Sequence, residues 1–208
     1  MYCLFLDTSS ATAVLALFED GNVLEEVALE VKSARHPCVV WQSMLDRHHL
    51  TLQEIDFLAC GVGPGSYTGL RTAAATVKGV VLATAKPIVA VSSLLTLVPE
   101  GLGRYFLMID GGISGAYTQR VSVSETSVEP DAPQSIPSNE LENVMAKETS
   151  LITDSMGWLE KKGLKTSSIQ TERRHASIVA RYVFQEAKSG RVYTAQTLPL
   201  WYTHVSPA

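Results

Sequence analysis

Hydrophobic and polar positions divide the first hundred residues into short apolar runs and longer amphipathic stretches. Cys3 to Leu6 and Ala13 to Phe18 are strand-like runs, and Asp20-Gly21 is a two-residue hairpin signal leading into a third, Val23 to Val31. The alternation through Val23, Glu25, Val27, Leu29 and Val31 is imperfect but favours β, so the chain is expected to open with three antiparallel strands. A helix follows, with Pro37 in its first turn, where a missing N–H costs nothing. Its apolar stripe holds Cys38, Trp41, Leu45 and His48, widened by Val40 and Met44. Thr51-Leu52-Gln53-Glu54 is a capping box, and Phe57 to Val62 reads as a strand buried on both faces. After a glycine-rich segment, Thr68 is expected to cap a helix running to about Ala85, which Pro87 ends. Ile88 to Val91 is another buried strand, and Ser92 or Ser93 starts the next helix. The order predicted is βββαβαβα.

The second half repeats the theme. Tyr105 to Ile109 is a strand ending at Asp110-Gly111-Gly112, and Ala116 to Val123 is its neighbour. Ser124 to Pro137 reads as a polar connection, and Ser138 caps a helix to about Ala146. Ser150 to Thr153 is strand-like, Asp154 caps a helix through Lys162 that Gly163 ends, and Arg174 to Lys188 forms a longer helix. Leu4-Phe5-Leu6-Asp7-Thr8-Ser9 matches Leu107-Met108-Ile109-Asp110-Gly111-Gly112: a strand, an Asp, a small-residue turn, then another strand. This pattern suggests an internal duplication, with subdomains at residues 1–100 and 101–208.

Composition then narrows the class. The 208 residues are 46% hydrophobic and 18% charged, enough to bury a core without disulfides or metals. A net charge of −4 gives no global basic field of the kind that dominates nucleic-acid binding. The short basic runs Lys161-Lys162 and Arg173-Arg174 read as solvated faces. Cys3, Cys38 and Cys60 are odd in number and far apart, as expected of a reducing cytosol. The opening residues do not form a signal peptide, and Ala73 to Ala85 is too short and too interrupted to span a bilayer. The expected location is cytoplasmic.

The most distinctive local feature is Gly61-Val62-Gly63-Pro64-Gly65-Ser66-Tyr67-Thr68-Gly69-Leu70-Arg71, joining a buried strand to a helix. Such a junction presents backbone N–H groups beside a positive helix end, so it can hold an anion or a nucleotide phosphate. The candidate residues are Asp7, Thr8, Gly63, Gly65, Ser66 and Thr68. A Walker A loop is excluded because no Lys follows a correctly spaced Gly. A dinucleotide fingerprint is excluded because Ser66 stands at its third Gly and no acid occurs between Asp56 and Glu100. A GxSxG elbow is absent. The other reading is a tight strand-to-helix crossover that needs glycines for backbone reasons alone.

The helix after the loop has two faces. Leu70, Ala73, Ala74, Val77 and Val81 form an apolar one. Thr72, Ala75, Thr76, Gly79 and Ala83 form a face of small residues against which another helix can lie closely, either within the chain or in a partner.

Leu6-Asp7-Thr8-Ser9 and the run Gly61 to Arg71 together resemble the TsaB (YeaZ) family, whose hallmark is a GxGPGSxTGxR loop after an opening I-D-T strand. The resemblance is close over about residues 1–98 and weak beyond. It implies an α/β actin/sugar-kinase/Hsp70-like (ASKHA) fold with two related subdomains. It also implies a non-catalytic subunit that binds the catalytic paralogue TsaD, with the ATPase TsaE, for threonylcarbamoylation of the adenosine beside the tRNA anticodon. Family members pair through their first two long helices. That assigns partner binding to Val40, Met44, Thr72, Ala75, Thr76, Gly79 and Ala83. It implies that ATP and a metal belong to the partner subunits, that tRNA is met only through the complex, and that a homodimer can form in isolation. The family's second half often has an Asp-Ala-Arg-like strand end followed by Glu-Val-Tyr; here Asp110-Gly111-Gly112 and Gly115-Ala116-Tyr117 stand instead.

The enzyme reading is weaker. His36, His48, His49, His175 and His204 show no i, i+4 pairing, so no metal helix is visible. Asp7 and Asp110 could face Mg²⁺ and ATP, as paired acids do in this fold, or could cap turns with their side chains. The competing function is a small ATP-dependent phosphotransferase of the same fold using Asp7, Thr8 and the glycine loop.

Overall fold

The structure, a computed structural model, describes residues 1–30 and 36–201; Val31 and His204 lie outside them. Strands β1 (Tyr2–Asp7), β2 (Thr12–Glu19), β3 (Asn22–Glu30), β4 (Phe57–Gly61) and β5 (Ile88–Val91) form one sheet in the order β3-β2-β1-β4-β5. The first three are antiparallel, and β1-β4-β5 are parallel. The Asp20-Gly21 hairpin forms as predicted, with both residues at positive φ (49° and 86°). Helix α1 (Pro37–Arg47) precedes β4, and α2 (Tyr67–Thr84) connects β4 to β5.

The second sheet repeats this plan. It contains β6 (Gly103–Asp110), β7 (Gly115–Val123), β8 (Val128–Pro130), β10 (Leu151–Thr153) and β11 (Ile169–Thr171), with β9 (Gln134–Pro137) also paired to β7. Its order, β8-β7-β6-β10-β11, matches that of the first sheet strand for strand. Helix α3 (Ser138–Met145) precedes β10 as α1 precedes β4, and α4 (Gly157–Lys161) links β10 to β11 as α2 links β4 to β5. Helix α5 (Ser177–Lys188) follows.

Strand alternation sorts side chains into three cores. Leu4, Leu6, Leu15, Leu17 and Leu58 face outward under α1 and α2. Phe106, Met108 and Leu151 face outward under α3 and α4. The intervening residues, including Phe5, Val14, Phe18, Leu107, Val121 and Ile152, join Val179, Val183 and Phe184 of α5 in one cluster spanning both sheets. Phe57 and Phe184 meet edge to face at 5.2 Å. The ASKHA arrangement expected from the sequence is therefore present: two sheets of one topology with helices on their outer faces and a common inner layer. Residues 193–201 return to the first sheet, where Tyr193 bridges Ile88 and the Trp201 N–H bonds Val62 O at 2.8 Å.

Several boundaries differ from expectation. Ser93–Leu97 is only a five-residue 3₁₀ turn, because Val98 precedes a proline and is extended (ψ 118°). The stretch expected to be a polar connection contains β8 and β9, which pair with β7, and the three-residue β11 had no periodic signal. α4 begins at Gly157 rather than Asp154, which instead accepts from Arg174. α5 begins at Ser177 rather than Arg174 because the residues before it bond to the first half: His175 N–H to Thr96 O (2.8 Å) and Ala176 N–H to Glu26 Oε2 (2.7 Å). Among the described residues, no helix is long and apolar enough to cross a membrane.

Burial pushes the thiols of Cys3 and Cys60 well above their ordinary value of 9.0, and pushes the Tyr182 phenol up to about 12. All three stay neutral in the fold, whereas the unfolded chain ionises them at their ordinary values. Their contribution is thus complete below about pH 8.5 and is lost as pH rises. The urea midpoint is expected to fall between pH 7.5 and pH 10; an equal or higher midpoint at pH 10 would contradict this assignment.

Candidate partner-binding surface and glycine loop

The glycine loop emerges from the C-terminal end of β4, beside the turn that follows β1. Asp7, Thr8 and Ser9 in that turn are all buried. Asp7 Oδ1 accepts from the Ser9 N–H at 2.7 Å, which is the turn-capping role. Asp110, at the equivalent end of β6, accepts from the Gly112 N–H at 3.0 Å. Each acid caps the turn after its strand, but Asp7 is buried with Oδ2 lacking a hydrogen-bond partner among the described residues, whereas Asp110 is exposed 3.7 Å from Lys162 Nζ.

The Thr8–Ser9 backbone lies directly against the loop and the first turn of α2. Ser66 N–H donates to Ser9 O at 2.6 Å, and Thr8 Oγ1 donates to Gly69 O at 2.6 Å. A Cβ at Gly69 would lie 1.8 Å from Thr8 O, and one at Gly65 would lie 2.5 Å from Ser9 O. Gly65 also adopts φ 154° and Gly63 φ 108°, conformations that favour glycine. Gly63 is further tied to the turn after β5: its N–H donates to Ser93 Oγ at 3.1 Å, and its O accepts from Ser93 N–H at 2.8 Å. Of the two readings open for this loop, the crossover accounts for Gly65 and Gly69 without a ligand. The structure brings Asp7, Thr8, Gly65 and Ser66 together, but the Ser66 N–H is already taken by Ser9 O. Thr68 is exposed on the first turn and is not the cap; Ser66 is, accepting from Gly69 N–H at 3.3 Å.

Two of the histidines have local partners. His36 caps α1, its Nδ1 accepting from the Cys38 N–H at 3.3 Å. His48 Nε2 lies 3.2 Å from Glu25, a carboxylate held below its usual range chiefly by hydrogen bonding to Arg47. Among the described residues, no three His, Cys, Asp or Glu side chains converge on one point.

The surface expected to bind a partner is partly corrected. Val40 and Met44 do not belong to it: they are 7% and 0% exposed and pack with Trp41 and Leu45 in the core under α1. The stripe on α1 is the inner face, because the apolar side of a surface helix covers its own sheet first. The outer face instead presents Cys38, Val39, Gln42 and Ser43, with Val39 63% exposed. On α2 the named residues lie outside the core. Ala73, Ala74, Val77 and Val81 are buried against the sheet, while Thr72, Ala75, Gly79 and Ala83 are exposed and Thr76 is half-buried. Leu82, 70% exposed, adjoins this stripe and was missed by sequence reasoning; its position beside Ala83 was the available signal. Both helices lie on the outer side of one sheet, so their free faces look the same way.

The family model described as TsaD: tRNA N6-adenosine threonylcarbamoyltransferase matches residues 31–155. The tRNA threonylcarbamoyladenosine biosynthesis protein TsaB of Escherichia coli (strain K12) is 29% identical over 138 residues, covering 62% of this chain and 58% of that protein. TsaB of Bacillus subtilis (strain 168) is 35% identical over 123 residues, covering 58% and 51%. A tRNA N6-adenosine threonylcarbamoyltransferase of Solidesulfovibrio magneticus is 31% identical over 141 residues, covering 58% of this chain and 38% of that one. The matches span about half the length of the curated TsaB relatives. The solved structure of YeaZ from Pseudomonas aeruginosa superposes with a TM-score of 0.80 at 22% identity, over 97% of this chain and 99% of that one, a likeness of fold.

The two α2 glycines should respond oppositely to alanine. Gly79→Ala meets nothing within 4 Å and is expected to stabilise the chain by about 0.5–1 kcal/mol through helix propensity. The same gain at Gly69 is outweighed by collision with Thr8 O, so Gly69→Ala is expected to cost roughly 2 kcal/mol or more. Thermal unfolding of both variants checks this; equal shifts would show that the loop glycines are not set by backbone approach.

Proposed function

Because this chain belongs to the TsaB (YeaZ) family, within the wider TsaD family, we propose that it is the non-catalytic partner subunit of tRNA threonylcarbamoylation. In this role it binds a catalytic TsaD paralogue through the outer faces of α1 and α2, and TsaE joins the assembly. ATP, metal and tRNA are handled by the complex, in the cytoplasm.

The observation that carries this reading is the free face of α2. An eighteen-residue helix is fully supported on its inner side, yet its outer side is built from Thr72, Ala75, Gly79 and Ala83 beside an exposed Leu82. Small side chains let a second helix backbone lie close, and neighbouring apolar surface contributes once water is excluded. A helix pair from a paralogue of the same fold fits such a face because it presents an equivalent pair. The closely packed Thr8–Ser9 turn speaks against the phosphotransferase alternative, since phosphate would have to displace backbone already bonded to Ser66.

The test is assembly. Mixing the chain with TsaD from the same organism is expected to give a heterodimer by size-exclusion chromatography with light scattering. Ala75→Arg/Gly79→Arg is expected to abolish that complex while its circular dichroism stays native. A competent TsaD that forms no complex would sink the reading and return attention to ATP binding at Asp7 and the loop.

A further inference from the structure

Between the two sheets lies a cleft of about 490 Å³, with Ser10–Thr12 on one side and Asp110, Asp154, Trp158 and Lys161 on the other. In two-lobed proteins such a cleft works by closing, through rotation of one lobe about a hinge. We propose that this chain has lost that motion: residues Glu172–Ser177 form a lock that holds the two sheets at a fixed opening. The proposal goes beyond the partner-subunit reading and does not depend on which partner binds.

The lock is made of bonds that cross between the halves. Arg174 is 5% exposed, and its Nη1 donates to Ser93 O at 3.0 Å and to Thr96 Oγ1 at 3.1 Å, both in the first half. Its Nη2 donates to Asp154 Oδ2 at 3.1 Å, in the second half. One planar guanidinium thus spans the floor of the cleft, and its fixed fork requires both sides to keep their spacing. The residues that follow reach into the first half as well. His175 N–H reaches Thr96 O at 2.8 Å, Ala176 N–H reaches Glu26 Oε2 at 2.7 Å, and Ser177 Oγ reaches Glu100 Oε1 at 2.5 Å. Two acids therefore sit at the positive N-terminal end of α5, a helix whose apolar side is already shared by both sheets. Closing the cleft would break several of these bonds together and slide α5 across close-packed side chains.

Global stability and interlobe geometry should separate in the test. Arg174→Met keeps the length of the side chain without the fork, and Asp154 is exposed enough to be hydrated when left alone, so the loss of the charge need not unfold the protein. Nitroxide labels at Gln53→Cys and Asn143→Cys, both exposed and on opposite halves, report the spacing in a Cys38→Ser background; Cys3 and Cys60 are buried. Excess unlabelled protein removes distances between copies. Double electron–electron resonance is expected to give one narrow distribution for the native lock and at least an approximately twofold wider one for Arg174→Met/Glu26→Ala. Circular dichroism verifies that the variant is folded; if it is not, Arg174→Lys, which lacks the fork, is measured instead with the same expectation. An unchanged width in a folded variant, or a broad distribution with the lock intact, would overturn the proposal.

Discussion

The inner faces of the two sheets are both apolar, and everything else in the fold follows from the need to cover them with one element. Strands β1 and β2 are buried on both sides, so their outward residues require α1 and α2 while Phe5, Val14 and Phe18 require something inside. The second sheet makes the same demand through Leu107, Val121 and Ile152. Helix α5 meets both at once, carrying Val179, Val183 and Phe184 into a single core. Burying one large aliphatic or aromatic side chain is worth about 1.5–3 kcal/mol, so this shared layer outweighs any of the polar links around it. The polar links decide orientation: they fix where α5 begins, and so how the sheets are set.

The glycine loop shows the same division between driving force and geometry. Its apolar neighbours place α2 on the sheet, but the approach of Thr8 O to Gly69 determines how far along the sheet α2 can sit. A helix held that closely at its first turn has a fixed azimuth. Its inner residues are then committed to the core, and Thr72, Ala75, Gly79 and Ala83 are committed to the surface. A motif that looks like ligand chemistry in one dimension thus acts also as a spacer that sets which face of α2 is exposed.

Much of this could be read from the residues, for identifiable reasons. The repeated plan was visible because strand, Asp and small-residue turn recur in one order, and the two sheets share one strand order. The small-residue face of α2 was visible because helical period is regular and no large side chain interrupts it. Val40 and Met44 were misread because periodicity gives the breadth of an apolar stripe but not which part the sheet will cover. The short β8, β9 and β11 were illegible for a different reason: three or four residues carry no period, and pairing with a neighbouring strand creates them. The lock at Arg174 was equally hidden. In the sequence it is half of a basic pair that looks solvated, and only folding brings Ser93, Thr96 and Asp154 around it.

That last contrast bears on how one fold serves both catalysis and assembly. An enzyme with two lobes gains from a hinge because closure excludes water and brings catalytic groups together. A subunit that works by offering a surface gains nothing from the hinge, since each bond frozen before binding is ordering that binding need not impose. In this chain packed elements run unbroken from the outer helices, through the first sheet and α5, to the second sheet. The turn after β1 accepts the Ser66 N–H of the glycine loop, and a buried arginine spans the cleft beside it. Hydrogen bonds thus tie the glycine loop to the turn after β1 and link the two halves along the floor of the cleft, and in the locked arrangement proposed above they pre-organise the outer face.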